Sequence, residues 1–187
     1  MPHYGRHDVK ENTVNGELKT DTVFYSIPDF TFLDQDSNRI SQADLSEFIY
    51  VSDFFFTTCP SICPIMAQKL LVVHEKFKDN PKIKIVSHTL DPEYDLPFRL
   101  REYADNLGVS NSNWLFLWTS NKDYVYKIAE TYYVAAVEDE NTAGGINHSG
   151  KLVLVDKKGT IRGFYEGTKD YGIEKLIKDI PVLLEEE

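Results

Sequence analysis

Two hydrophobic periods divide this chain. Phe48 to Phe56 is a nearly continuous apolar run interrupted only by Ser52 and Asp53, the pattern of a strand covered on both faces. Lys82 to Ser87 and Trp114 to Trp118 read as further strands. Between them the period lengthens: Met66, Leu70, Val73 and Phe77 recur at helical spacing, predicting a helix over Ile65 to Lys78 that stops at Asp79-Asn80-Pro81. Pro97 to Leu107, closed by Gly108, and Lys122 to Tyr132 predict two more helices. Lys151 to Val155 and Thr160 to Phe164 predict a hairpin turned at Asp156-Lys-Lys-Gly159, and Tyr171 to Leu184 a terminal helix bent near Pro181.

The N-terminal part is less regular. Thr22 to Ile27 and Phe30 to Leu33 are expected to be short strands around Pro28-Asp29, a hairpin-like start, followed by a turn at Asp34 to Asn38. Residues 1–20 are polar and without period, and are expected to be an extension lying on a single domain formed by residues 21–187. Asn141 to Gly145 reads as a loop. Alternating strands and helices call for parallel strands with crossover helices, and the late hairpin adds an antiparallel edge. The expected class is α/β, with a central mixed sheet flanked by helices.

Charge narrows the partners. Asp and Glu number 30 against 20 Lys and Arg, a net charge of -10, which argues against nucleic acid or an anionic membrane surface. No stretch approaches the roughly 20 apolar residues of a membrane span. The opening Met1-Pro-His-Tyr-Gly-Arg-His-Asp8 is polar from its first residue and shows no secretory leader, which leaves a cytoplasmic protein or a chain read after a removed leader or anchor.

The only two cysteines sit together in Thr57-Thr-Cys-Pro-Ser-Ile-Cys-Pro64, directly after the first buried strand. A disulfide across so short a loop removes only about 2 kcal/mol of unfolded-state entropy, so chemistry is the better reason for the pair. Both cysteines precede proline, which disfavours helical backbone at the cysteine itself, while Pro64 is welcome at a first helical position. The helix is therefore expected to begin at Pro64, with Cys63 near its cap and Cys59 on the preceding loop. A helix start favours thiolate over thiol, so both sulfurs are expected to be more acidic than a free cysteine. That suits a soft metal and thiol exchange equally.

Two thiolates alone make a weak cage. His148, in Gly145-Ile-Asn-His-Ser-Gly150, follows a glycine-rich loop that could swing an imidazole toward the cysteines, with His88 as the reserve candidate near a strand end. His74 is expected at the surface, and His3 and His7 fall in the polar extension. Asp91 carries two readings: a cap for a helix beginning at Pro92, or a group beside the cysteine loop acting near the metal or as a weak oxygen ligand. Asp95 reads as assisting the turn before Pro97.

Phe55-Phe-Thr-Thr-Cys-Pro-Ser-Ile-Cys-Pro64, then Thr89-Leu-Asp-Pro-Glu-Tyr-Asp95, then Asn147-His-Ser-Gly-Lys-Leu-Val-Leu-Val-Asp156, in this order, resemble the Sco/SenC family of copper proteins, from about Ile27 to the end of the terminal helix. The resemblance implies a thioredoxin-like fold with inserted elements and copper, Cu(I) or Cu(II), held by Cys59, Cys63 and His148. It implies a metallochaperone that supplies copper to, or reduces the thiols of, the binuclear copper site of cytochrome c oxidase. It also implies an extracytoplasmic, periplasmic-side location, with a membrane anchor outside these 187 residues. The ligand set is chemically consistent: thiolates and imidazole suit copper, whereas a structural zinc wants a fourth protein ligand. The principal alternative is a metal-independent thiol–disulfide oxidoreductase in which Cys59 and Cys63 are the redox pair and His148 has no role. A thiol peroxidase using Cys59, suggested by Phe56-Thr57-Thr58-Cys59, ranks behind it.

Overall fold

The computed structural model describes residues 1–14, 17–110, 113–139, 141–142 and 144–186. Chain order begins with strands β1 (Asp8–Val14) and β2 (Glu17–Val23), then β3 (Thr31–Leu33) and β4 (Arg39–Ser41). Next come β5 (Ile49–Phe55), helix α1 (Ile62–Phe77), β6 (Ile83–Thr89), α2 (Pro97–Leu107), β7 (Trp114–Leu117) and α3 (Lys122–Thr131). The chain closes with β8 (Ala136–Glu138), β9 (Ile146–His148), β10 (Lys151–Val155), β11 (Ile161–Glu166) and α4 (Asp170–Glu186). Five strands form the central sheet in the order β11-β10-β5-β6-β7. β5, β6 and β7 run parallel, while β10 is antiparallel to both β5 and β11. This is the expected mixed sheet flanked by helices, a thioredoxin-like fold.

Every residue of β5 is buried, as its unbroken apolar pattern requires of a strand flanked on both edges and covered on both faces. Its two polar residues are satisfied by neighbours: the Asp53 carboxylate accepts from the Ser87 hydroxyl, whose oxygen accepts from Trp114 Nε1 at 2.8 Å. Because β5 and β6 are parallel and both end at the same edge, the segments that follow them, Phe56 to Ser61 and Leu90 to Leu96, emerge side by side. The candidate chemistry gathers at that edge.

Several expectations need correcting. Much of the N-terminal extension forms the antiparallel ribbon β1–β2, with Asp8 opposite Val23. The side chains described in it are exposed, so nothing in burial imposed a readable period. The expected strand from Thr22 to Ile27 ends at Val23, and Phe30 to Leu33 pairs instead with β4 across the turn at Asp34. Pro181 lies inside α4, as a terminal helix running on to Leu184 requires. His74 is buried, and its Nδ1–H donates to Asn113 Oδ1 at 3.1 Å. His3 and His7 pack on Phe24. None of the described helices is long and apolar enough to cross a membrane.

His88 falls within β6, one residue past the expected strand end, and is 0% exposed. Its ring stacks on Phe54 at 4.8 Å between centroids and meets the edges of Phe30 and Phe32. Nδ1 is hydrogen-bonded to Ser52 Oγ at 3.3 Å, and Nε2 has no hydrogen-bond partner among the described residues. Burial holds its pKa down at about 3, from 6.5, against a weaker backbone hydrogen bond at Asp53. The folded protein therefore keeps the ring neutral at pH values where the unfolded chain binds a proton. Stability from this group is complete above the unfolded value and drains away as pH falls toward 3. From pH 7 to pH 5 the loss is about 2 kcal/mol. Denaturant unfolding at both pH values should show His88→Phe escaping that part of the loss; equal losses in the two proteins would contradict the buried neutral imidazole.

Candidate metal centre

The cysteine loop is shaped before either sulfur is considered. Cys59 N–H donates to the Phe56 carbonyl at 3.2 Å, closing a tight turn as the chain leaves β5. Leu90 N–H donates to the Phe55 carbonyl at 2.8 Å, tying the exit of β6 to the exit of β5. The residue that fixes the loop is Asp95, whose carboxylate is 0% exposed. It accepts from Thr57 N–H at 2.9 Å, from the Thr57 hydroxyl and from the Thr89 hydroxyl at 2.6 Å. Burial pushes its pKa up, and the Thr57 and Thr89 hydrogen bonds pull the other way. The sequence reading made Asp95 a turn residue and missed this clamp. The available signal was the pairing of hydroxyls at Thr57 and Thr89 with one downstream carboxylate.

Asp91 is not one of the three residues whose ligand atoms converge among the described residues. Its backbone N–H donates to Thr89 Oγ1 at 3.1 Å, and its carbonyl accepts from Tyr94 and Asp95 N–H. Residues 92–94 form a turn, and the next helix, α2, begins at Pro97. Asp91 therefore caps no helix. Its carboxylate makes no hydrogen bond or ion pair among the described residues and is not in the group that gathers around the cysteines.

α1 begins at Ile62, two residues before the expected start. The first four N–H groups of a helix have no helical partner, so proline is tolerated beyond the first position and Pro64 sits third. Cys63 thereby lies inside the first turn, while Cys59 precedes the helix; both are buried, free thiols. The expectation that both would be acidified holds for one. Burial pushes the Cys63 thiol well up, and its hydrogen bond with Cys59 adds to the shift. Burial also raises Cys59, but hydrogen bonds from Cys63 and Ser61 outweigh it and the net shift is downward. A dipole at a helix start does not compensate for removing a sulfur from water.

His148 does not ride on a swinging loop. It ends β9, an antiparallel partner of β8 in which His148 lies opposite Ala136, and Ser149 N–H donates to the Ala135 carbonyl at 3.0 Å. Nδ1–H donates to the Ser149 carbonyl at 3.3 Å. A carbonyl can only accept, so the proton is on Nδ1 and the Nε2 lone pair is free. Nε2 lies 3.3 Å from Cys63 Sγ. Burial lowers the His148 pKa, with the Ser149 hydrogen bond opposing. Cys59 Sγ, Cys63 Sγ and a His148 ring nitrogen all lie within 4.8 Å of one another. Among the described residues no other group of three histidine, cysteine or carboxylate side chains comes together in this way.

The hairpin also touches the cysteine loop directly. Gly144, with φ +91°, approaches so closely that a Cβ there would stand 2.8 Å from the Phe56 ring and 3.2 Å from Pro60 Cδ. The Phe56 ring in turn meets the edge of His148.

A thioredoxin-like sheet, two thiols in and just before the first turn of the helix after its central strand, and an imidazole from a later hairpin define a thiol protein equipped to hold a soft metal ion. The SCO1/SenC family model matches residues 19–185, and the chain belongs to that family. The SCO1 protein homolog of Bacillus subtilis (strain 168) is 29% identical over 166 residues, 88% of this chain and 86% of that protein. A protein of Stutzerimonas stutzeri described as a putative copper-binding protein is 26% identical over 160 residues, 83% of this chain and 76% of that one. Among solved structures, a SCO1/SenC family lipoprotein from Bacillus anthracis superposes with a TM-score of 0.78 at 25% identity, over 86% of this chain and 95% of that one. Another, BsSco, superposes with a TM-score of 0.74 at 29% identity, over 84% and 92%. It is described as having a disulfide switch and as a member of the Sco family of cytochrome c oxidase assembly proteins.

The Gly144 contact can be tested. Gly144→Val adds side-chain bulk against Phe56 and Pro60 at a backbone conformation that branched residues avoid, costing roughly 1–3 kcal/mol. Iodoacetamide should then alkylate the buried thiols several-fold faster than in the wild type. An unchanged labelling rate would show that the hairpin does not shield them.

Proposed function

We propose that the protein binds copper through Cys59, Cys63 and His148 and delivers it to the binuclear copper site of cytochrome c oxidase, or reduces the thiols of that site. The observation that carries this reading is the convergence of two sulfurs and one imidazole nitrogen within 4.8 Å. The donor set is soft, has three members, and fits copper better than a structural zinc, which wants four protein ligands. The recipient is supported by the description of BsSco as one of the cytochrome c oxidase assembly proteins. An extracytoplasmic position, with a membrane anchor outside these residues, is supported by the lipoprotein relative.

The chain's own residues divide the work. Ser149 holds the His148 proton on Nδ1, so Nε2 is presented to an incoming ion without a tautomer change. Cys63 is the reluctant ligand, because burial keeps its proton on; Cys59 gives its proton up more readily. Binding must release those protons, so affinity falls with acid. Oxidation of the pair to a disulfide removes two electrons and two protons and takes both sulfurs out of play, which makes the thiols a redox gate on copper.

The asymmetry of the thiols favours one second reading, a metal-independent thiol–disulfide oxidoreductase. There Cys59, with its lowered pKa, attacks a partner disulfide, and buried Cys63 resolves the mixed disulfide.

One titration separates the two. One equivalent of copper(II) added to the reduced protein should produce intense sulfur-to-metal charge-transfer absorption, abolished in Cys59→Ala and Cys63→Ala and displaced and weakened in His148→Ala. If all three variants bind copper as the wild type does, the proposed site is wrong. If His148→Ala leaves exchange with a partner disulfide untouched and the wild type holds no copper, the oxidoreductase reading replaces it.

A further inference from the structure

A trough of about 470 Å³ is lined by Tyr4, Gly5, Arg6, Tyr133, Lys151 and Phe164. None of these residues carries one of the three converging donor atoms. Three rings form its walls. Tyr4 is pinned to the sheet edge by its N–H, which donates to the Ile161 carbonyl at 2.9 Å. Its ring meets the edge of Phe164 at 5.2 Å, and Tyr133 meets Phe164 at 6.4 Å and Tyr25 at 5.7 Å. Gly5, at φ +108°, lets the chain cross Tyr25 where any Cβ would collide with that ring.

Two observations point to a ligand. The first is charge. The protein has a net charge of -10, yet among the described residues no carboxylate lines this trough and two cations do. Lys151 reaches over the Phe164 ring, 5.8 Å from its centroid. Its cross-strand neighbour Glu166 forms no ion pair with it, and Arg6 has no carboxylate partner among the described residues. The second is strain. Tyr133 follows α3 in left-handed backbone, φ 56°, the position at which helices ordinarily carry glycine. Its N–H donates to the Glu130 carbonyl and Val134 N–H to Ala129, so the helix end itself requires this conformation. A bulky residue there costs roughly 1–2 kcal/mol, and its ring remains 47% exposed. The helix end would be served more cheaply by glycine; the trough would lose a wall.

We propose that this trough is a docking site for an acidic, extended segment of a partner protein. The segment places an aromatic side chain among Tyr4, Tyr133 and Phe164 and its carboxylates on Arg6 and Lys151. Tyr133 and Lys151 bracket the hairpin that carries His148, so an occupied trough sits against both ends of that hairpin. Aromatic anchoring with a cationic rim is the division of labour that interfaces use, rings supplying affinity and charges supplying selectivity.

The test uses the acetylated and amidated tetrapeptide DDFD as probe, titrated into the isotopically labelled full chain and followed by amide chemical shifts. Saturable shifts should map to residues 4–6, 133, 151 and 164, and persist in Cys59→Ser, because the trough does not depend on the sulfurs. The lysine counterpart KKFK should bind at least roughly tenfold more weakly, as should DDFD with the Arg6→Glu, Lys151→Glu double variant. Tyr133→Gly relieves the backbone and keeps the helix end, so it should unfold no earlier than the wild type while losing most of the binding. No saturable shift, shifts centred elsewhere, equal binding of KKFK, or full affinity in Tyr133→Gly would each overturn the proposal. A protein that binds DDFD but not copper would leave this site standing and remove the copper reading alone.

Discussion

The arrangement rests on the antiparallel pairing of β8 with β9. Cys59 and Cys63 come from one continuous stretch, and their proximity is a local property of a loop entering a helix. The imidazole comes from 85 residues beyond Cys63, and backbone hydrogen bonds at the base of the hairpin bring it there. His148 opposite Ala136, and Ser149 bonded to Ala135, set the direction in which the ring leaves the strand. The Ser149 carbonyl then sets its tautomer, and Gly144 lets the far end of the hairpin lie on Phe56 and Pro60. A ring placed in this way loses little further freedom on binding an ion, because folding has already ordered it.

Opposite the hairpin, Asp95 performs the matching task for the cysteine loop. One buried carboxylate joins Thr57, at the exit of β5, to Thr89, at the exit of β6. Parallel pairing delivers those two exits to the same sheet edge, and the carboxylate locks them together. Burial then differentiates the sulfurs. The deeper Cys63 resists ionisation and lies 3.3 Å from the His148 ring, whereas Cys59, ahead of the helix, gains hydrogen bonds that favour its thiolate. The same desolvation that holds His88 neutral holds the buried Cys63 protonated.

What the sequence disclosed follows from which features burial writes into residue type. β5 is covered on both faces and reads as an apolar run; α1 is covered on one and reads as a stripe from Met66 to Phe77. The crossover order of the central sheet follows from that alternation. β8 was unreadable because two of its three residues are exposed and three residues cannot establish a period. The β1–β2 ribbon escaped for the same reason. His148 was singled out through its motif, but its strand pairing, like the Asp95 clamp, depends on contacts between distant segments. The difference between the thiols was hidden because dipole and proline arguments see the helix start and not the depth of Cys63. His74 looked like a surface residue beside the helical stripe, and only the polar partner supplied by Asn113 explains its burial.

The central claim is that folding brings one imidazole to two sulfurs closely enough for all three to share an ion. X-ray absorption at the copper edge, on reduced protein loaded with one equivalent of copper, reads that coordination shell directly. The account predicts two sulfur scatterers and one imidazole nitrogen, with the nitrogen lost in His148→Ala. A shell of oxygen and nitrogen alone, or one unchanged by that substitution, would contradict it.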